Sequence, residues 1–164
     1  MKPVILVLED EPPVRTALAR DLAPFAGAVQ IEMAEDVEDA KAVIDEATRE
    51  GNQVALILAD HRLPGTTGVD FLVESMKDPR VAGARRVLVT GQAGQADTIR
   101  AVNDGHISHY ISKPWEAENL QDVVRGELTE YVLDNDVPPL PLMAALDQPR
   151  VMRALAQTPG GLTT

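Results

Sequence analysis

Glu9, Asp10, Asp60, Thr90 and Lys113 are side chains of the kinds that handle phosphate and hard cations, and each lies at the end of a short apolar run. Val54-Ala-Leu-Ile-Leu-Ala leads into Asp60, and Pro3-Val-Ile-Leu-Val-Leu leads into Glu9-Asp10-Glu11. Arg86-Val-Leu-Val leads into Thr90, and Tyr110-Ile-Ser leads into Lys113. Carboxylates brought together repel one another unless a cation sits among them. An all-oxygen set suits Mg²⁺ or Mn²⁺, whereas zinc or copper would want imidazole or thiolate. With that charge drawn off, Asp60 can attack phosphorus while the metal, Thr90 and Lys113 hold the transferred oxygens. Singly, each residue has a blander use: acids before a helix serve its dipole, a lone Asp forms a turn, and a lone Thr or Lys lies on the surface. Together, in this order, they point to a phosphoryl-acceptor site.

The elements that must position them are alternating strands and helices. Apolar runs predict strands over 3–8, 29–33, 54–59, 86–90 and 110–112. Between them, Pro12 and Pro13 open a helix with Val14, Leu18 and Leu22 on one face, and Asp36 caps a helix whose apolar face is Val37, Ala40, Ile44 and Ala47. Gly68 leads into Val69, Leu72, Val73 and Met76 at helical spacing. The next helix, 97–104, offers only Ile99 and Val102 as apolar anchors, with Gly105 as its C-cap, and is expected to be the least firmly docked. A last helix over 117–133 carries Leu120, Val123, Val124, Leu128, Tyr131 and Val132. Such alternation implies a parallel sheet with helices on both faces, and in these folds ligands bind at the carboxyl ends of the strands.

Glu9-Asp10-Glu11-Pro12, Asp60-x-Arg62-Leu63-Pro64-Gly65-x-x-Gly68, Val89-Thr90-Gly91 and Tyr110-x-x-Lys113-Pro114 resemble the receiver domain of two-component response regulators over roughly residues 3–133. The resemblance implies a CheY-like α/β fold, a doubly wound (βα)5 parallel sheet of order 2-1-3-4-5. It implies that Asp60 is the phosphorylated residue and that Glu9, Asp10, Asp60 and the backbone carbonyl of Arg62 hold Mg²⁺. Glu9 stands where Asp is commoner. Thr90 and Lys113 would contact the phosphoryl group, Lys113-Pro114 would be a cis peptide, and Tyr110 matches the aromatic that turns inward when the Thr90 loop moves. Arg62 and Gln92 occupy positions that tune dephosphorylation in the family. The implied donor is a sensor histidine kinase or phosphotransfer protein. The implied output is a downstream protein or a second copy, bound on the face of the fourth helix, fifth strand and fifth helix. No turnover activity is expected beyond the domain's own phosphorylation and dephosphorylation.

A net charge of −11 argues against unspecific attraction to nucleic acid or anionic membrane. With no cysteine, no bilayer-length apolar run and no leader pattern, a soluble cytoplasmic protein is expected. The character changes at Asp134, which divides the chain into a receiver domain, 1–133, and a tail, 134–164. Val137-Pro-Pro-Leu-Pro141 suggests a polyproline linker, followed by short helices interrupted at Pro149. Two readings of the tail stand open. It is a flexible or packed-back end, or Leu142, Met143, Leu146, Val151, Met152 and Leu155 form a docking or dimerising surface. It is too short and too acidic for a helix-turn-helix output domain. His61, His106 and His109 show no ligand spacing and read as surface or turn residues; Trp115 reads as packing at the last helix's start. Two rival functions remain: a haloacid-dehalogenase-type aspartate phosphatase, which wants a second Asp where Arg62 stands, and an interaction module with a relic site.

Overall fold

Unbroken apolar runs become strands covered on both faces. β1 (Pro3–Leu8) is buried at every position, and β3 (Gln53–Ala59) at all but its first. With β2 (Gln30–Ala34), β4 (Arg85–Thr90) and β5 (His109–Ser112) they form a five-stranded parallel sheet of order β2-β1-β3-β4-β5, the doubly wound topology expected. The structure, a computed structural model, describes residues 1–91 and 94–157.

Side chains alternate across the pleat, so Val4, Leu6 and Leu8 face one layer while Ile5 and Val7 face the other. The first layer holds α2 (Val37–Arg49), α3 (Gly68–Ser75) and α4 (Gln95–Asn103); the second holds α1 (Pro12–Leu22) and α5 (Ala117–Asp134). The helix starts follow local chemistry. Pro12 and Pro13 occupy the first turn of α1. The Asp36 carboxylate accepts from Asp39 N at 2.8 Å, and the Thr67 hydroxyl accepts from Asp70 N at 3.0 Å. On the first layer, the Arg86 side chain is buried and donates to Ser75 Oγ and to the carbonyls of Val81, Ala82 and Ala84, which fastens the chain between α3 and β4. Burial lowers its pKa to about 10. Among the described residues, no helix is long and apolar enough to cross a membrane.

α4 departs from expectation. Its predicted anchors, Ile99 and Val102, are each 52% exposed, and the buried residue is Ala101. The chain after α4 folds back on this turn: a Cβ on Gly105 would stand 2.9 Å from the Ala101 carbonyl oxygen, so position 105 needs glycine. Gly105 does not take the left-handed conformation of a C-cap glycine; His106, with φ 53°, carries the reversal.

The tail also differs from the expected polyproline linker. Leu140–Ala145 forms a 3₁₀ turn, and α6 (Gln148–Ala156) follows, with Asp147 capping it and Pro149 in its first turn. Leu142, Ala145, Leu146 and Val151 are buried in the same cluster as Phe25, Leu128, Tyr131 and Val132. Asp147 N donates to Thr129 Oγ1 at 2.9 Å, and Arg150 pairs with Glu130. Through residue 157 the tail is packed back on the α1–α5 layer.

Candidate functional site

The ladders run one residue beyond the strands and set two carboxylates side by side. Glu9 N donates to the Ala34 carbonyl and Asp60 N to the Leu8 carbonyl, both at 3.0 Å, so each acid leaves its strand at the same edge of the sheet. Glu9, Asp60 and Thr90 are all nearly inaccessible, at 1%, 4% and 2% exposure. One oxygen from each of Glu9, Asp10, Glu11 and Asp60 lies within 4.8 Å of the others.

Lys113 enters this group from the end of β5. Its Nζ donates to Glu9 Oε1 at 2.5 Å and to Asp60 Oδ2 at 2.9 Å. The Lys113-Pro114 peptide is cis, as the resemblance implies. Burial opposes the charge on Lys113, but its bonds to Glu9 and Asp60 outweigh that penalty and raise its pKa, so it is held charged. Burial pushes the Glu9 carboxyl up from its ordinary range; the Lys113 bond and the Glu11 N–H, which donates to Glu9 Oε2 at 3.1 Å, pull the other way. One ammonium against the four clustered carboxylates leaves surplus negative charge in an all-oxygen donor set. A divalent hard cation fits that set.

The loop after Asp60 is tightly wound. Arg62–Leu63 pairs antiparallel with Thr66–Thr67 across Gly65, whose φ of 75° suits glycine. Gly68 then closes onto Asp60: a Cβ there would lie 1.9 Å from the Asp60 carbonyl oxygen. Arg62 N approaches Asp60 Oδ1 at 3.4 Å. Thr90 ends β4 opposite Ser112 of β5. Glu9, Asp10, Asp60 and Lys113 are thus together, with Thr90 at the same edge. Tyr110 is 37% exposed and so lies outward. Gln92 lies outside the described residues.

Two contributors were not singled out from the sequence. Arg15, one turn into α1, donates from Nη1 to the carbonyls of Glu9 and Asp10, both at 2.9 Å, and so braces the acidic turn. A cation four residues after the end of an acidic cluster was the available signal. Glu11 joins the carboxylate group, although its sequence position suits a helix dipole equally well. His61 corrects the surface reading: it is 8% exposed, with Nε2 3.1 Å from Asp97 Oδ2 in the first turn of α4. His109 Nδ1 lies 2.8 Å from Glu127 Oε1. Trp115 is partly buried against the α1–α5 core, and its indole N–H donates to Asp21 Oδ2 at 2.8 Å.

Comparison with known proteins points to one family. Residues 5–125 match the profile of the response regulator receiver domain. The hydrogenase transcriptional regulatory protein HoxA of Cupriavidus necator is 30% identical over 154 residues, which cover 93% of this chain and 30% of that protein. The phosphate regulon transcriptional regulatory protein PhoB of Pseudomonas aeruginosa is 30% identical over 116 residues, covering 71% of this chain and 47% of that protein. The chain therefore spans about a third of the one relative and about half of the other. Among solved structures, a CheY-like response regulator receiver domain protein from Methanospirillum hungatei superposes with a TM-score of 0.69 at 25% identity, covering 82% of this chain and 99% of that one.

Proposed function

The chain belongs to the response regulator receiver family, and on that premise we propose that it is a phosphorelay switch whose acceptor is Asp60. The observation that carries this reading is the Lys113 ammonium bridging Glu9 and Asp60 inside the carboxylate cluster. In the step proposed, the N–P bond of a phosphohistidine on a kinase or phosphotransfer protein breaks as an Asp60 oxygen–phosphorus bond forms, and the freed imidazole takes up a proton. Lys113 stays charged beside Asp60, so it can hold the incoming phosphoryl oxygens, and Thr90 supplies a hydroxyl at the same edge. Glu9, Asp10, Asp60 and the Arg62 carbonyl would hold Mg²⁺ or Mn²⁺, which when bound supplies countercharge for the carboxylates and the transferred oxygens. Arg15 keeps the acidic turn in place through its carbonyls.

The output on this reading is a change in the face formed by α4, β5 and α5, where Ile99, Val102 and Tyr110 are exposed. Phosphorylation must favour one arrangement of Thr90 and Tyr110 over another, or nothing is signalled. A downstream protein or a second copy binds that face, in the cytoplasm where phosphorelay donors act. Arg62 and Gln92 set the lifetime of the phosphoryl group, and residues 1–133 carry the switch. The phosphatase alternative loses ground, since the relatives found are regulators and Arg62 stands where a second acid would be needed.

Acetyl phosphate with Mg²⁺ is expected to add the mass of one phosphoryl group, and Asp60→Asn is expected to abolish the gain. A gain that persists in that variant places the acceptor elsewhere. Steady release of phosphate from a panel of esters would restore the phosphatase reading.

A further inference from the structure

His61 stands between the proposed acceptor and the helix expected to move. It follows Asp60 directly, and its carbonyl accepts from Gly68 N at 2.8 Å. Its ring turns toward the first turn of α4, where Nε2 lies 3.1 Å from Asp97 Oδ2. The residue is 8% exposed, and Nδ1 is buried with no partner among the described residues.

That is a poor arrangement for a side chain that only fills space. An apolar residue of similar size would fill the same volume without leaving a polar atom unpaired, and buried polar atoms are ordinarily paired. The contact matters because of how α4 is held. Its N-cap, Gly94, offers no side-chain cap; Ala101 is its buried residue; Ile99 and Val102 are exposed. Among the described residues, two polar ties secure it: Asp97 to His61, and Arg100 to Asp70 of α3 at 2.5 Å. A helix secured by directional bonds rather than by a broad apolar stripe can settle in discrete alternative positions that a small change selects. One of the two ties ends on the residue covalently next to Asp60.

We propose that His61 is a positioning residue of the switch: its bond to Asp97 holds α4 in the arrangement seen here, and phosphorylation of the neighbouring Asp60 releases it. The inference rests on Asp60 as acceptor. An interaction made in only one of two states weakens binding of whatever favours the other, so removing it strengthens that binding by the factor it contributed.

The test uses the full chain, with beryllofluoride and Mg²⁺ as the phosphoryl mimic, Trp115 fluorescence as the binding signal, and amide hydrogen exchange across residues 95–103. His61→Leu and Asp97→Ala are each expected to lower the half-saturating beryllofluoride concentration about three- to tenfold, the range for a hydrogen bond to a half-exposed carboxylate. The double variant gains no more than the larger single effect. His61→Gln, whose amide can still donate to Asp97, stays close to wild type. Without ligand, α4 amides exchange faster in both single variants, a change that mere space-filling by His61 would not produce on truncating Asp97. Unchanged or weakened affinity in the single variants, or effects that add in the double, overturns the tether and leaves the acceptor assignment standing. A wild-type protein that neither binds beryllofluoride nor gains a phosphoryl group overturns the acceptor assignment and the coupling with it.

Discussion

The two faces of the sheet's far half are built on different terms. On the α1–α5 layer, Phe25, Leu128, Tyr131 and Val132 meet Leu142, Leu146 and Val151 from the tail in continuous apolar contact. Around α4 and the edge strand β5, Ile99, Val102 and Tyr110 are exposed, and α4 is secured by the His61–Asp97 and Arg100–Asp70 bonds. Burial of a leucine-sized side chain contributes roughly 1.5–3 kcal/mol and is indifferent to direction. An ion pair with one exposed partner contributes about 0–1 kcal/mol and depends sharply on geometry. The first region therefore resists change, and the second can exchange one set of partners for another at little cost. A switch needs both, a layer that stays put and a helix that does not.

Burying a charge in the first region should show the contrast most strongly. Val151 is fully buried, and Val151→Asp places an unpaired carboxylate in the core cluster that also holds Leu128, Val132 and Leu146. A loss of about 3–5 kcal/mol is expected in urea unfolding. A loss below about 1 kcal/mol would mean that α6 detaches freely and is no part of the rigid half. Leu146→Ala should cost about 2–4 kcal/mol through its cavity, with the same denaturant dependence as wild type.

Much of this was legible in the residues. Continuous apolar runs mark the strands and these side chains close them, so Glu9, Asp10, Asp60, Thr90 and Lys113 could be placed on one edge from the residues alone. The Asp36 cap and the α3 stripe followed from spacing alone. What was not legible depends on tertiary context. The tail has proline at 138, 139, 141, 149 and 159 and no sustained period, so only burial against α5 makes its short turns stable. Ile99 and Val102 looked like anchors because apolar residues on a helix usually face inward, yet Ala101 takes the inward place and both larger side chains stand half exposed. His61 looked like a turn residue because its partner lies 36 positions away.

Glu127 joins the two regions. It is buried on α5 and accepts from Arg85 Nε of β4 at 2.7 Å, with His109 Nδ1 of β5 2.8 Å away. Burial alone would raise its pKa, but the bonds to Arg85, Ser108 and His109 outweigh burial and lower it. A carboxylate whose folded pKa lies below its unfolded value adds stability at pH above the unfolded value, and that stability is lost as pH falls through the folded one. Glu127→Gln should therefore destabilise the protein at neutral pH by about 1–3 kcal/mol. The difference from wild type should shrink progressively on acidification. A difference that stays constant from neutral pH to the acid limit would show that shape, not charge, holds this seam.

The smallest expected effect is also the sharpest test of the contrast. Ile99→Ser and Val102→Ser remove exposed apolar atoms from α4, so each should change stability by no more than about 0.5 kcal/mol. Two large apolar side chains left half exposed contribute little to folding, and on the proposed reading they serve the output face. Their replacement should therefore weaken whatever beryllofluoride induces, whether a second copy seen as a change in size or a partner bound to the α4–β5–α5 face, while the half-saturating beryllofluoride concentration stays within about twofold. A stability loss above about 1.5 kcal/mol in either variant would mean that α4 is anchored by these residues after all, and the distinction between a fixed apolar half and a movable polar-tied helix would fail.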